Sequence, residues 1–241
     1  MNIKNIFRKG ILALLVATTA LIACSKDSDS PEVPKGNYGV LIGGVELTYE
    51  NYQNITRASF PAITKGTVTY DPIKRILTLD NATIQTPGGK RSILRLKEDG
   101  ITVKLIGSNT LKSKDNVLYV EKPALLTGDG TLKIIKTRNA ISIDNASLTI
   151  ENCTVILNAG ESCITGGNTN SSATLIIRNA KIEGKTTDGK EKPVICKLAG
   201  LTMEGCAITE PEGAAFDETL KGVAKDGKLV EDKVIIAPPT P

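Results

Sequence analysis

The chain contains no histidine and no tryptophan, and aromatic residues make up 3% of its 241 positions. Without histidine, Ser–His and Cys–His nucleophile pairs and His-ligated metal centres are excluded. Any catalysis would have to run on carboxylates with lysine or arginine. The scarcity of rings leaves Ile, Leu, Val, Ala and Thr to form the core, which suits a narrow stacked coil better than a globular sandwich. Sugars are usually held on Trp or Tyr rings, whose apolar faces match a pyranose. Of the five tyrosines, Tyr38, Tyr49, Tyr52 and Tyr70 lie in the N-terminal third and only Tyr119 falls further along.

A long apolar run is also missing. Residues 11–23 carry no charge, but a spanning helix needs about 20 apolar residues. Preceded by Lys4, Arg8 and Lys9, this stretch reads as a signal peptide over 1–23, not a membrane anchor. It ends in LIAC at 21–24, which resembles the lipobox of bacterial lipoproteins. That resemblance implies cleavage before Cys24 and lipidation of Cys24 with palmitate-type chains. Acyl chains contribute about 0.8 kcal/mol per buried methylene, enough in combination to hold a domain at a bilayer. The expected address is the cell envelope, as an outer membrane lipoprotein. Residues 24–36, with SKDSDS at 25–30 and Pro31 and Pro34, are too polar to fold and read as a tether. The same acidic, Ser-rich start resembles an export signal for surface display, and a plain spacer would look identical.

Net charge is small as well. The whole chain is +4, and losing the three signal-peptide cations leaves about +1. No nucleic-acid partner is implied by such a balance.

What the chain has in quantity is a repeat. Six segments follow one pattern: LTLDNATI (77–84), VKLIGSNTL (103–111), LLTGDGTL (125–132), LTIENCTV (148–155), LIIRNAKI (175–182) and LTMEGCAI (201–208). Apolar residues alternate, an Asn or Gly breaks the run, and an apolar residue follows. Taking Leu79, Leu105, Leu126, Ile150, Ile177 and Met203 as equivalent gives spacings of 26, 21, 24, 27 and 26. A period of 20–30 residues with β alternation marks a solenoid. The expected fold is all-β: a right-handed parallel β-helix of about six coils over 76–209, between small β caps at 37–75 and 210–241. Right-handed winding is the usual sense of parallel crossovers. The caps would cover the apolar ends and unpaired edges that a solenoid otherwise exposes. At the break stand Asn81, Asn109, Gly130, Asn152, Asn179 and Gly205. Asn and Gly tolerate the left-handed backbone of a sharp corner, so Asn81, Asn109, Asn152 and Asn179 are expected to form a structural corner ladder.

LTLDNATI, the coil ITVKLIGSNTL (101–111) and GDGTL (128–132) resemble the carbohydrate-binding-domain-containing right-handed β-helix proteins. The resemblance covers about residues 66–209. Some members of that group bind pectic polysaccharide with calcium, so it implies a polysaccharide ligand. The family's clustered acidic calcium ligands have no residue-by-residue match here. Calcium is therefore a candidate cofactor only through loop carboxylates such as Glu98, Asp99, Asp115 and Asp188, and no EF-hand or nonapeptide spacing supports it.

Two sets of residues bear on ligands. Lys104, Lys112, Lys133, Arg178 and Lys181 fall at outward positions of successive coils and could hold an acidic glycan, although outward charge also keeps a solenoid soluble. Lys90, Arg91, Arg95 and Lys97 form a second basic cluster. The carboxylates Asp80, Asp129, Glu151 and Glu204 recur near the corners at the coil period, as solvated corner residues would. Cys153, Cys163, Cys196 and Cys206 are an even number in an exported chain, which permits disulfides. Cys153 and Cys206 are two coils apart, about 9.6 Å at 4.8 Å per coil, too far to bridge. Cys163 and Cys196 lie on adjacent coils and could pair; buried free thiols are the preferred reading. The leading function is non-catalytic glycan binding by a monomer at the cell surface. A structural or protein-partner-binding surface protein is the alternative, and a polysaccharide lyase or hydrolase comes last.

Overall fold

A computed structural model describes residues 31–86, 92–168, 170–187 and 192–239. Cys24 and the signal segment lie outside the described residues, as do Lys90, Arg91 and Asp188. Among the described residues every regular element is a strand, and no helix is long and apolar enough to cross a membrane.

The N-terminal segment contributes β1 (Asn37–Ile42), β2 (Val45–Thr48) and β3 (Ile63–Asp71). The first turn consists of β4 (Ile76–Gln85), bent in its middle, and β5 (Leu94–Leu96). Three-strand turns follow: β6 (Ile101–Ile106), β7 (Ser108–Lys112) and β8 (Leu118–Val120), then β9 (Ala124–Gly128), β10 (Thr131–Thr137) and β11 (Ile141–Ile143). Next come β12 (Ser147–Glu151), β13 (Thr154–Ala159) and β14 (Ile164–Gly166), then β15 (Thr174–Arg178), β16 (Lys181–Thr186) and β17 (Ile195–Cys196). The chain ends through β18 (Gly200–Glu204), β19 (Ala207–Glu210), β20 (Ala215–Asp217), β21 (Gly222–Lys225), β22 (Lys228–Leu229) and β23 (Lys233–Ala237).

The turns stack as a β-solenoid with three faces. The first half of β4 with β6, β9, β12, β15 and β18 forms face one, in parallel register throughout. The second half of β4 with β7, β10, β13 and β16 forms face two. The short strands β5, β8, β11, β14 and β17 form face three. Parallel pairing of short strands needs long crossovers, and the other two faces of each turn supply them.

About five turns close, one fewer than the repeat count suggests. β18 begins another, but β23 pairs antiparallel with β16 on one side and β19 on the other. The second strand of the last repeat is therefore held one strand away from the stack. Two further edges are closed by reversed strands: β3 runs antiparallel along β4, and β1 along β5. Next to β17, Leu198 N–H donates to Lys221 O at 2.9 Å and Val194 N–H to Val230 O at 2.9 Å. These contacts satisfy backbone groups that would otherwise template another chain.

Alternation explains the core. Leu77, Val103, Leu126, Ile150 and Ile177 stack in one column on face one and are at most 1% exposed. Burying each such side chain is worth about 1.5–3 kcal/mol. This column corrects the sequence alignment: Leu126 stacks on Val103, while Leu105 lies against Gly128. The spacings of the true column are 26, 23, 24 and 27 residues. The distance from this column to the corner shortens from four residues, Val103 to Gly107, to two, Ile150 to Asn152.

Corner residues Asn81, Asn152 and Asn179 adopt φ of 48°, 53° and 45°, the left-handed conformation the sequence requires of them. Asn109 does not. It lies within β7, fully buried, where its Oδ1 accepts from Ala82 N–H at 2.8 Å and its Nδ2 donates to Ile106 O at 3.0 Å. The corner of that turn is Gly107, at φ 62°. An added Cβ there would come within 2.5 Å of Asn81 Oδ1, so the Asn81 side chain stacks where a second Asn cannot fit. From turn to turn the left-handed corner residues are Asn81, Gly107, Gly128, Asn152, Asn179 and Gly205, so the ladder mixes Asn with Gly.

Candidate functional site

The five outward cations do not form one array. Lys104 and Arg178 belong to a single outward column of face one, read from turn to turn as Thr78, Lys104, Thr127, Glu151, Arg178 and Glu204. The acids in that column neutralise it: Arg178 Nε donates to Glu204 Oε2 at 2.8 Å. Lys112, Lys133 and Lys181 sit on face two in three different columns, opposite Gln85, Thr110 and Thr154. Lys181 Nζ lies 3.9 Å from Glu183 Oε2. The period of the repeat placed these residues outward correctly, but mixed two faces. Exposed pairs of this kind contribute about 0–1 kcal/mol and mainly keep the surface soluble.

Face three carries the concavity that the repeat did not announce. Its strands are only two or three residues long, and each presents one outward side chain: Arg95, Tyr119, Ser142, Thr165 and Cys196, stacked in that order. Two large side chains thus give way to three small ones. A groove of about 270 Å³ opens there, lined by Tyr119, Ser142 and Thr165 on its floor, with Arg138, Glu161 and Lys197 among its walls. Gly166 and Gly167 keep the floor bare: a Cβ on Gly166 would approach Lys197 O to 1.9 Å, and one on Gly167 would approach Asp144 Oδ1 to 2.8 Å.

The walls are built from turn-to-turn hydrogen bonds. Asn139 Nδ2 donates to Asn116 Oδ1 at 3.1 Å, and Asn139 Oδ1 accepts from Ser162 N–H at 3.1 Å. These asparagines make a second small ladder, leading from face two into face three, that the sequence did not flag. Arg138 Nε and Glu161 Oε2 pair at 3.0 Å across adjacent turns. Tyr119 Oη donates to Asp144 Oδ2 at 3.1 Å. Burial pushes the Tyr119 hydroxyl above its ordinary pKa, and the neighbouring Asp144 carboxylate adds to the shift. Lys197, at the far end, is exposed and holds φ at 58°, a strained value for a side chain of its length.

The groove is polar, with hydroxyls, amides and compensated charges, which is donor and acceptor chemistry suited to a polyhydroxylated ligand. Among the described residues, no three acidic, cysteine or histidine side chains converge as metal ligands. Of the loop carboxylates considered for calcium, Asp188 lies outside the described residues, and the Asp99 carbonyl accepts from Arg75 Nη1 at 2.7 Å.

The four described cysteines are free. Cys163 is fully buried, with Sγ 3.6 Å from Leu157 O, whereas Cys196 lies on the outward column, 3.5 Å from Ser162 Oγ. The two face opposite sides of the sheet, so no bridge forms. Burial pushes the Cys153 and Cys163 thiols up to about 12, which removes the thiolate a nucleophile needs.

Of the tyrosines before the repeats, Tyr38 and Tyr70 are buried in the packing, while Tyr49 is 39% exposed. Tyr38 stacks on Tyr70 at 5.2 Å and meets Tyr52 edge-on at 5.7 Å. Tyr119 alone faces the groove, and its isolation among the coils was the one sequence signal for this site.

No family model matches the chain, and neither curated proteins nor solved structures give a match. The β-solenoid is therefore the part of the sequence resemblance that the structure carries.

Proposed function

We propose that the chain is a cell-envelope lipoprotein that binds a polysaccharide without cleaving it, through the groove on face three. The observation that carries this reading is the bare polar floor from Ser142 to Gly167 beside a lone outward tyrosine. Acylation at Cys24, implied by the lipobox, would hold the solenoid at the outer membrane on the tether of residues 24–36. The groove's acids support a binding role over a catalytic one. Glu161 is paired with Arg138 and Asp144 accepts from Tyr119, so neither stands free as a general acid or base.

The test is a panel of soluble polysaccharides, neutral and uronic, titrated against the purified chain in calcium and in chelator. Binding to at least one, with no release of reducing or unsaturated ends, is expected. Absence of binding across the panel would sink the reading in favour of a structural or protein-binding role. Product release would move it to an enzyme. Calcium dependence would implicate the loop carboxylates.

A further inference from the structure

Tyr119 is held unlike any other ring among the described residues. From the β5 side, Arg95 places its guanidinium carbon 5.1 Å from the ring centroid, and Arg95 Nε is itself fixed by Glu121. At the rim, Asp144 accepts the hydroxyl proton. The β11 neighbour of Tyr119 is Ser142, whose side chain is too short to cover the ring from that side. One face of the ring is thus clamped and the other borders the groove. We propose that this free face is a stacking platform for a pyranose that presents an apolar C–H face. The rest of the saccharide then runs along the solenoid axis over Ser142 and Thr165 toward Lys197.

Three features converge on this assignment. Stacking of a sugar on an aromatic ring needs a rigid, half-exposed face, and the Arg95 and Asp144 contacts remove the freedom the ring would otherwise lose on binding. The clamp uses one ring face for a cation–π contact, so a single sugar is stacked, not sandwiched. Direction follows from the floor: the outward side chains shrink only on the β11 and β14 side of Tyr119. At about 4.8 Å per turn, the groove from β8 to β17 spans roughly 14 Å, longer than one sugar unit. The site therefore fits an oligosaccharide segment with Tyr119 at one end. Arg95 and Glu121 are positioning residues, and Tyr119, Ser142 and Thr165 are the contacts.

This inference rests on the glycan-binding reading, and the experiment separates the two. Cellotriose, xylotriose, mannotriose, galactotriose and trigalacturonate are titrated calorimetrically into the full chain and into Tyr119→Phe, Tyr119→Ala and Ser142→Phe, with melting curves confirming each fold. Because the chain has no tryptophan, ligand-induced changes in near-ultraviolet absorbance report on tyrosine. For whichever probe binds, Tyr119→Phe should stay within about threefold of the parent, since the ring remains. Tyr119→Ala should lose at least about tenfold, and Ser142→Phe, which fills the notch without removing the ring, should lose as much. Parent-like binding by folded Tyr119→Ala would overturn the platform while leaving glycan binding intact. Failure of every probe to bind the parent would overturn both.

Discussion

Asparagine does two different jobs in this chain, and backbone conformation separates them. At Asn179 the left-handed φ of 45° is the constraint. Asn179→Ala should therefore cost about 1–2 kcal/mol, while Asn179→Gly costs less, measured as shifts in the urea midpoint. Equal losses would show that the side chain, not the φ, is what matters. At Asn109 the constraint is the buried amide, which accepts from Ala82 N–H. Asn109→Leu leaves that donor unpaired, at about 1–3 kcal/mol. The sequence could not tell these roles apart, because both positions read as Asn after an apolar run; two residues of register decide. The buried thiols give a pH signature. The unfolded Cys153 and Cys163 lose their protons near 9, and the folded ones near 12. Below about pH 9 these thiols are protonated in both states and add no pH dependence. Between 9 and 12 the unfolded state alone ionises, so stability falls, by at most about 1.4 kcal/mol per pH unit per thiol. Replacing both cysteines by alanine should lower stability at neutral pH yet flatten this decline. Parallel slopes in the two proteins would contradict it.

At the scale of elements, strand alternation was plain in the sequence wherever a face was long, as in β12, β13 and β15. From the residues alone the short strands of face three read as 92–94, 117–120, 140–143, 163–164 and 194–196, within a residue or two of where they lie; the offset arises because two or three residues carry almost no periodicity. The insertion of β23 was not legible either: VII at 234–236 reads as a strand, but nothing local says that it enters between β16 and β19. Its importance can be measured. Truncation after Glu231 removes β23 and the Lys233–Glu210 pair at 3.0 Å, and uncovers the edge of β16. The truncated chain should self-associate in sizing chromatography and melt earlier. A monodisperse product with an unchanged melt would show that β23 is not a functioning cap.

For the molecule as a whole, the repeat accounts for the scaffold, and the exception to the repeat accounts for the candidate site. The outward cations were conspicuous because they share the coil period, yet they divide between two faces, and Arg178 and Lys181 meet acids. The triple variant Lys104→Gln, Lys133→Gln, Lys181→Gln should accordingly keep glycan affinity within about threefold. The groove escaped notice because it is made by small residues, Ser142, Thr165, Gly166 and Gly167, which carry little signal until stacking places them side by side. The most direct measurement is a crystal structure of the chain with an oligosaccharide from the binding panel. Sugar density is expected along face three, one ring parallel to Tyr119 and the remainder over Ser142 and Thr165. Ordered sugar on the Lys104 column or on face two, with the groove empty, would contradict it.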